Sequence, residues 1–256
     1  MKIDFHIHGK VCKKYPFNEE NFIGIINEAI ETKLDAIALT EHGYLEDYSD
    51  LYNYLKDNYT YQNDYYIVDK LKVFVGMEVT TNEGIDIVIV GNRDDISNLR
   101  KGTEESAEKE GKPVGVCELV DMCNNRELLI IIAHPYRHMD DFPEYSKEIL
   151  ENIDAVELNT TDMYKKGIDP MRLKVGELSQ KISLPIVYGS DSHHFMQIGS
   201  VYNEFDKEVE TVKEFKEEIK NGNYHSVISA DLRIKAKSHT IIKGYISDIV
   251  YNRGEF

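Results

Sequence analysis

The sequence predicts an α/β fold with largely parallel strands. Short apolar runs such as Ala36–Leu39 and Leu128–Ala133 alternate with stretches of helical periodicity along almost the whole chain. Histidines and carboxylates follow several of those runs, as they do where strand ends carry the chemistry of an α/β domain. The 256 residues are enough for one large core, so the chain is read as a single domain, 1–256.

Lys2–His8 reads as the first strand. Asn18 is a candidate N-cap with Glu19 and Glu20 in the first turn, and Phe22, Ile25, Ile26, Ala29 and Ile30 form a stripe at helical spacing that should end near Lys33. Ala36–Leu39 is a short buried strand leading to Glu41-His42. A Tyr-rich segment from Tyr44 to Tyr66 follows without one clean period, and is read as packing and lid residues. Val73–Val79 and Ile85–Val90 form two strands joined by a turn at Asn82-Glu83-Gly84. The polar stretch between Asn92 and Pro113 reads as a solvated helix or a mobile excursion. Leu128–Ala133, Asp154–Leu158 and Leu184–Tyr188 are further strands, and Pro170–Ile182 is helical. Val209, Val212, Phe215 and Ile219 mark a late helix stopped by Gly222.

A formal charge of −16 argues against holding long nucleic acid by counterion release, so no stable nucleic-acid partner is expected. A small phosphorylated substrate is compatible with it, because bound divalent ions reverse the local potential. The three cysteines, Cys12, Cys117 and Cys123, form no Cys-x-x-Cys pair and read as reduced thiols. A ligand motif begins at His6, where a secretion signal would need its apolar stretch, and the longest aliphatic run is too short to span a bilayer. A cytoplasmic location without membrane attachment is therefore expected. Composition leaves the oligomeric state open.

Five stretches supply candidate metal ligands: His6-Ile7-His8, Glu41-His42, Gly76-Met77-Glu78, Ala133-His134-Pro135 and Gly189-Ser190-Asp191-Ser192-His193. Alternate strand residues share a face, so His6 with His8, or Asp191 with His193, can grip a common ion. Imidazole nitrogen with carboxylate oxygen suits Mn²⁺, Zn²⁺ and Fe²⁺, and the shortage of cysteine argues against a closed structural zinc site. A carboxylate such as Glu78 can bridge two ions roughly 3.5–4 Å apart, the separation used for in-line phosphoryl displacement.

From His6 to about His193, the order and content of these motifs resemble the PHP family, named for polymerase and histidinol phosphatase domains. The resemblance implies a distorted (β/α)7 TIM-like barrel with two or three divalent ions at its C-terminal mouth, and phosphoester hydrolysis. Position by position it implies that His6, His8, Glu78 and Asp191 hold a first ion, Glu78 and His134 a second, and His42 and His193 a third. Where many members place a histidine on the strand after Glu78, this chain has Asp86, a ligand or a turn residue behind the ligands. Family members with a full third site add a loop histidine, whereas Gly9–Phe17 supplies Lys10, Lys13 and Lys14.

The expected activity is metal-dependent hydrolysis of a small phosphomonoester, histidinol-phosphate-like or a nucleotide, by a metal-bridging hydroxide. Arg137 is the candidate phosphate clamp, against the reading of a solvated loop arginine. His42 or His193 is the candidate proton donor to the leaving alkoxide. The alternatives are a phosphodiesterase or exonuclease acting on nucleotides or short oligonucleotides, a non-catalytic metal-binding accessory module, and hydrolysis of a C–N bond by a related two-metal barrel. Glu157 is read as orienting a ligand histidine or capping a helix, and His225 and His239 as incidental.

Overall fold

A computed structural model describes residues 1–44 and 48–252. The strands are β1 (Lys2–Ile7), β2 (Ala36–Leu39), β3 (Thr60–Gln62), β4 (Tyr65–Val68), β5 (Leu71–Thr80), β6 (Asp86–Gly91), β7 (Leu129–Ala133), β8 (Ala155–Asn159), β9 (Ile186–Gly189), β10 (Val201–Phe205) and β11 (Tyr224–Ile228). The helices are α1 (Glu19–Glu31), α2 (Tyr48–Asn58), α3 (Arg93–Glu110), α4 (Val116–Cys123), α5 (Lys147–Leu150), α6 (Thr160–Lys166), α7 (Ile168–Ile182), α8 (Val212–Asn221) and α9 (Leu232–Asn252).

Seven strands run in the order β1-β2-β5-β6-β7-β8-β9. The sheet curls until the segment after β9 meets β1, where Asp191 N–H donates to the His6 carbonyl at 2.8 Å and His8 N–H to that of Ser192 at 2.7 Å. The result is a nearly closed, distorted barrel with helices outside it. All neighbours are parallel except at β6, which is antiparallel to both β5 and β7. The cause is the short Thr81–Ile85 turn, with Gly84 at φ +79°: a connection this short cannot cross over to a parallel strand. Strands β10 and β11 extend the sheet from the first residues of β1.

The strand faces separate two apolar layers. Ile37, Leu39, Val73, Val75, Ile87, Ile89 and Ile132 pack outward against α1 and its neighbours, while Ile3, Phe5, Ala36, Ala38, Phe74, Val88, Ile131 and Ala155 fill the barrel with Phe215 and Ile219 of α8. Helix α1 begins where Asn18 accepts from Asn21 N–H at 2.9 Å, a cap contributing about 1 kcal/mol. It buries Phe22, Ile25, Ile26 and Ala29, at roughly 1.5–3 kcal/mol for each large side chain.

The Tyr-rich segment resolves into α2 and the β3–β4 hairpin. Tyr48 and Tyr52 stack at 4.5 Å, and both hydroxyls donate to the Gly76 carbonyl, so these rings are packing residues. The polar stretch after Asn92 is the regular helix α3, capped by Asn92 and ended by Gly111 in the left-handed conformation.

Candidate metal centre

The site begins with an irregularity in β1. Asp4 pairs with Ile37 and Ile7 with Leu39, so the register slips by one residue between them, a β-bulge. Phe5 packs into the barrel and Ile7 against the helices, and the extra residue between the two pairings lets His6 and His8 both join the buried mouth. Their Nε2 atoms lie 3.2 Å apart.

Each ring is held from behind by a carboxylate. Glu157 at the end of β8 accepts from His6 Nδ1 at 2.8 Å, and Glu41 faces His8 Nδ1 at 3.2 Å. With Nδ1 held from behind, each Nε2 faces the cavity, where on deprotonation it would present its lone pair to an ion. Glu157 also accepts the His134 backbone N–H at 3.0 Å, so one carboxylate positions two candidate ligand residues.

Glu78 lies at the centre. Its Oε1 is 2.9 Å from His134 Nε2 and 3.6 Å from His6 Nε2, while Oε2 is 2.7 Å from His42 Nδ1 and 3.5 Å from His8 Nε2. Asp191 Oδ1 approaches His8 Nε2 at 3.2 Å and His6 Nε2 at 3.7 Å. Asp86 sits 3.6 Å from His134 Nδ1 and accepts from the Thr80 hydroxyl at 2.5 Å. It reaches the mouth from the first residue of an antiparallel strand, whereas the other ligands come from strand C-terminal ends. Candidate ligand atoms group as His6, His8 and Asp191, as Glu78, Asp86 and His134, and as His8, His42 and His193, those of each group within 4.8 Å of one another.

Arg137 donates to Asp191 Oδ2 at 2.5 Å and to Asn159 Oδ1 at 2.8 Å, which makes it a fixed part of the wall and not a solvated loop residue. His193 stacks on His8 with centroids 4.1 Å apart. Two residues of the cluster, His134 (φ +28°) and Asp191 (φ +54°), adopt left-handed backbone conformations that non-glycine residues seldom take, as at sites where geometry is imposed. Gly189 is required beside them, because a Cβ there would collide with the Glu157 carboxylate and lie 2.8 Å from His6 Cβ.

Electrostatics favour cations in the cavity. Burial pushes the carboxyl of Glu78 up, yet His42, His134 and His6 outweigh it and hold it well below the usual range. Burial likewise opposes ionisation of Asp191, and Arg137 and His6 overcome it. Burial, with Lys243 and His8, drives His193 well down, and burial also lowers His42, so both rings are neutral at pH 7 and suited to ligation. Glu78 Oε2 and His42 Nδ1 are buried 2.7 Å apart and contact each other. Buried carboxylates and imidazoles gathered around one cavity are the donor set that divalent ions complete.

Of the loop lysines, Lys10 is buried and donates to the Lys13 carbonyl at 3.1 Å, while Lys13 reaches over the Tyr44 ring beside His42. Sequence reasoning missed His239. This α9 residue is 5% exposed, its ring lies 6.1 Å from that of His193, and burial together with Lys243 pushes it down to about 3. A lone histidine in a mixed-polarity helix carried no signal of this. The role of Glu41 was visible only as an acid beside His42.

The family model described as PHP-associated matches residues 172–224, which include Asp191 and His193. No curated protein matches the sequence. Among solved structures, PsfC from Pseudomonas syringae PB-5123 is similar with a TM-score of 0.75 and 16% identity, over 96% of this chain and 98% of that one. Endonuclease Q in complex with a 27-mer duplex substrate with an abasic lesion at the active site gives 0.58 and 20%, over 86% and 56%. The lesion-specific endonuclease PfuEndoQ from Pyrococcus furiosus gives 0.59 and 18%, over 88% and 57%. The chain thus spans little more than half of the two endonucleases, and at these identities the likeness is one of fold. The PHP-associated match and the order of the ligand motifs on the barrel both point towards a PHP-type domain.

Proposed function

We propose that the chain is a metal-dependent phosphoesterase that hydrolyses a small phosphomonoester. The observation that carries this reading is Glu78, a buried carboxylate whose two oxygens face different histidines, His134 and His6 on one side and His42 and His8 on the other. That is the disposition of a bridging ligand. His6, His8 and Asp191 with Glu78 would hold one ion, and Glu78, Asp86 and His134 a second. His42 and His193 would hold a weaker third, because His8 directs Nε2 towards Asp191 and Nδ1 towards Glu41, and the loop brings Lys13 in place of a histidine.

When bound, such ions act as Lewis acids on phosphoryl oxygen and lower the pKa of water towards about 7. The chain's own residues orient and neutralise. Glu157 and Glu41 lock the rings of His6 and His8, and Arg137, steadied by Asp191 and Asn159, offers guanidinium charge at the rim to a phosphate oxygen. Neutral His42 and His193 serve this reading better as ligands than as proton donors.

A nuclease is the second reading, supported by the likeness to Endonuclease Q, a protein described with a DNA duplex substrate. The charge of −16 weighs against it. A phosphate-release screen with Mn²⁺, Zn²⁺ or Fe²⁺ over phosphomonoesters, dinucleotides and abasic duplex DNA separates them. The phosphomonoesterase reading expects kcat/KM for the best monoester to exceed that for any diester at least about tenfold. Faster cleavage of a diester or of the duplex would make the chain a nuclease.

A further inference from the structure

Next to the centre, beyond Asp191 and Arg137, is a cavity of about 200 Å³ whose remaining wall comes from Thr161 and Lys165 of α6 and His239, Thr240 and Lys243 of α9. His239 and Lys243 are one helical turn apart and share a face. Three cationic side chains, Arg137, Lys165 and Lys243, surround one carboxylate, Asp191, which Arg137 already neutralises. Among the described residues, neither lysine pairs with a carboxylate. His239 is 5% exposed and its Nε2 is buried without a hydrogen-bond partner. A half-buried ammonium and a buried imidazole nitrogen left unpartnered are unfavourable unless something else pairs with them.

We propose that this cavity is a subsite for a second anionic group, a carboxylate or a phosphate carried on the leaving group of the substrate. Lys243 and Lys165 supply charge, and His239 with the Thr161 and Thr240 hydroxyls supplies hydrogen bonds. The assignment rests on the phosphoesterase reading, since it places the scissile phosphate on the ions and the second anion about one short chain away. Of the candidate ligands only Asp191 borders the cavity, so the cavity is beside the reacting phosphate and not at it. Its volume is below the roughly 300 Å³ of drug-sized pockets, which restricts the second group to a compact one.

The test is calorimetric titration of the Mn²⁺-loaded full chain with three non-hydrolysable probes, propylphosphonate, 3-phosphonopropionate and propane-1,3-bisphosphonate. At least one two-anion probe should bind tenfold or more tightly than propylphosphonate, and which one does distinguishes a carboxylate from a phosphate. In Lys243→Ala that advantage should fall below about twofold while propylphosphonate binding stays within twofold, and Lys243→Gln, which keeps the stem, should behave alike. Equal binding of all three probes by the unaltered chain, no binding of any, or a parallel loss of all three in the variants would overturn the proposal. Because the probes are not turned over, a failure of the phosphoesterase reading appears separately, as intact binding without phosphate release from any monoester.

Discussion

Glu157 Oε1 lies 2.8 Å from His6 Nδ1, and the same carboxylate's other oxygen accepts the backbone N–H of His134. One buried side chain on β8 therefore positions both His6 on β1 and His134 after β7.

Replacing that carboxylate tests its role. Glu157→Gln should weaken metal affinity about tenfold and Glu157→Ala up to about a hundredfold, with secondary structure kept, because partners behind ligand histidines typically contribute that much. Competition with a chelating dye measures it, and unchanged affinity in both variants would show that His6 orients itself without help.

Gly189→Ala should destabilise the fold by about 1–3 kcal/mol, since the added methyl meets the Glu157 carboxylate and His6 Cβ. Metal affinity should fall with it. Denaturant unfolding alongside metal titration checks both, and a variant as stable and as tightly loaded as the parent would mean that the backbone gives way at no consequence.

Chelation should lower the melting temperature. Five buried carboxylates, Glu41, Glu78, Asp86, Glu157 and Asp191, crowd the mouth, and ions at 100 times their Kd stabilise by about 2.7 kcal/mol, or roughly 5–10 °C for a chain of this size. Calorimetry with EDTA and then with excess Mn²⁺ should show the loss and its recovery, whereas an identical transition under both conditions would speak against bound ions.

The thiols should differ sharply in reactivity. Cys117 is exposed, while Cys12 and Cys123 are buried, and burial pushes the Cys123 thiol up to about 12. Iodoacetamide at pH 8 should label Cys117 alone in the folded chain and all three in denaturant. Rapid native labelling of Cys123 would contradict its burial at the end of α4.

The candidate ligands were legible because they come in short motifs next to apolar runs, and the structure places His6, His8, Glu78, His134 and Asp191 around one cavity. What escaped depends on tertiary geometry. The bulge between Asp4 and Ile7 is invisible in an alternating pattern, yet it sets the aim of His6. Asp86 arrives from the start of an antiparallel strand, so a rule based on strand C-terminal ends could not place it. His239 and Lys243 come from α9, far from every motif in sequence, and only folding sets them beside Arg137. The β3–β4 hairpin was hidden among tyrosines that serve strand and helix equally well.

Metal content read with turnover on the same preparations tests the proposal that Glu78 bridges two ions. The unaltered chain, loaded with Mn²⁺ and freed of excess, should retain at least two ions per chain and release phosphate from a monoester. Glu78→Gln should retain no more than one and lose turnover at least about a hundredfold, because a neutral amide neutralises neither ion. A Glu78→Gln variant that keeps both ions and near-normal kcat, or an unaltered chain that binds none, would contradict the account.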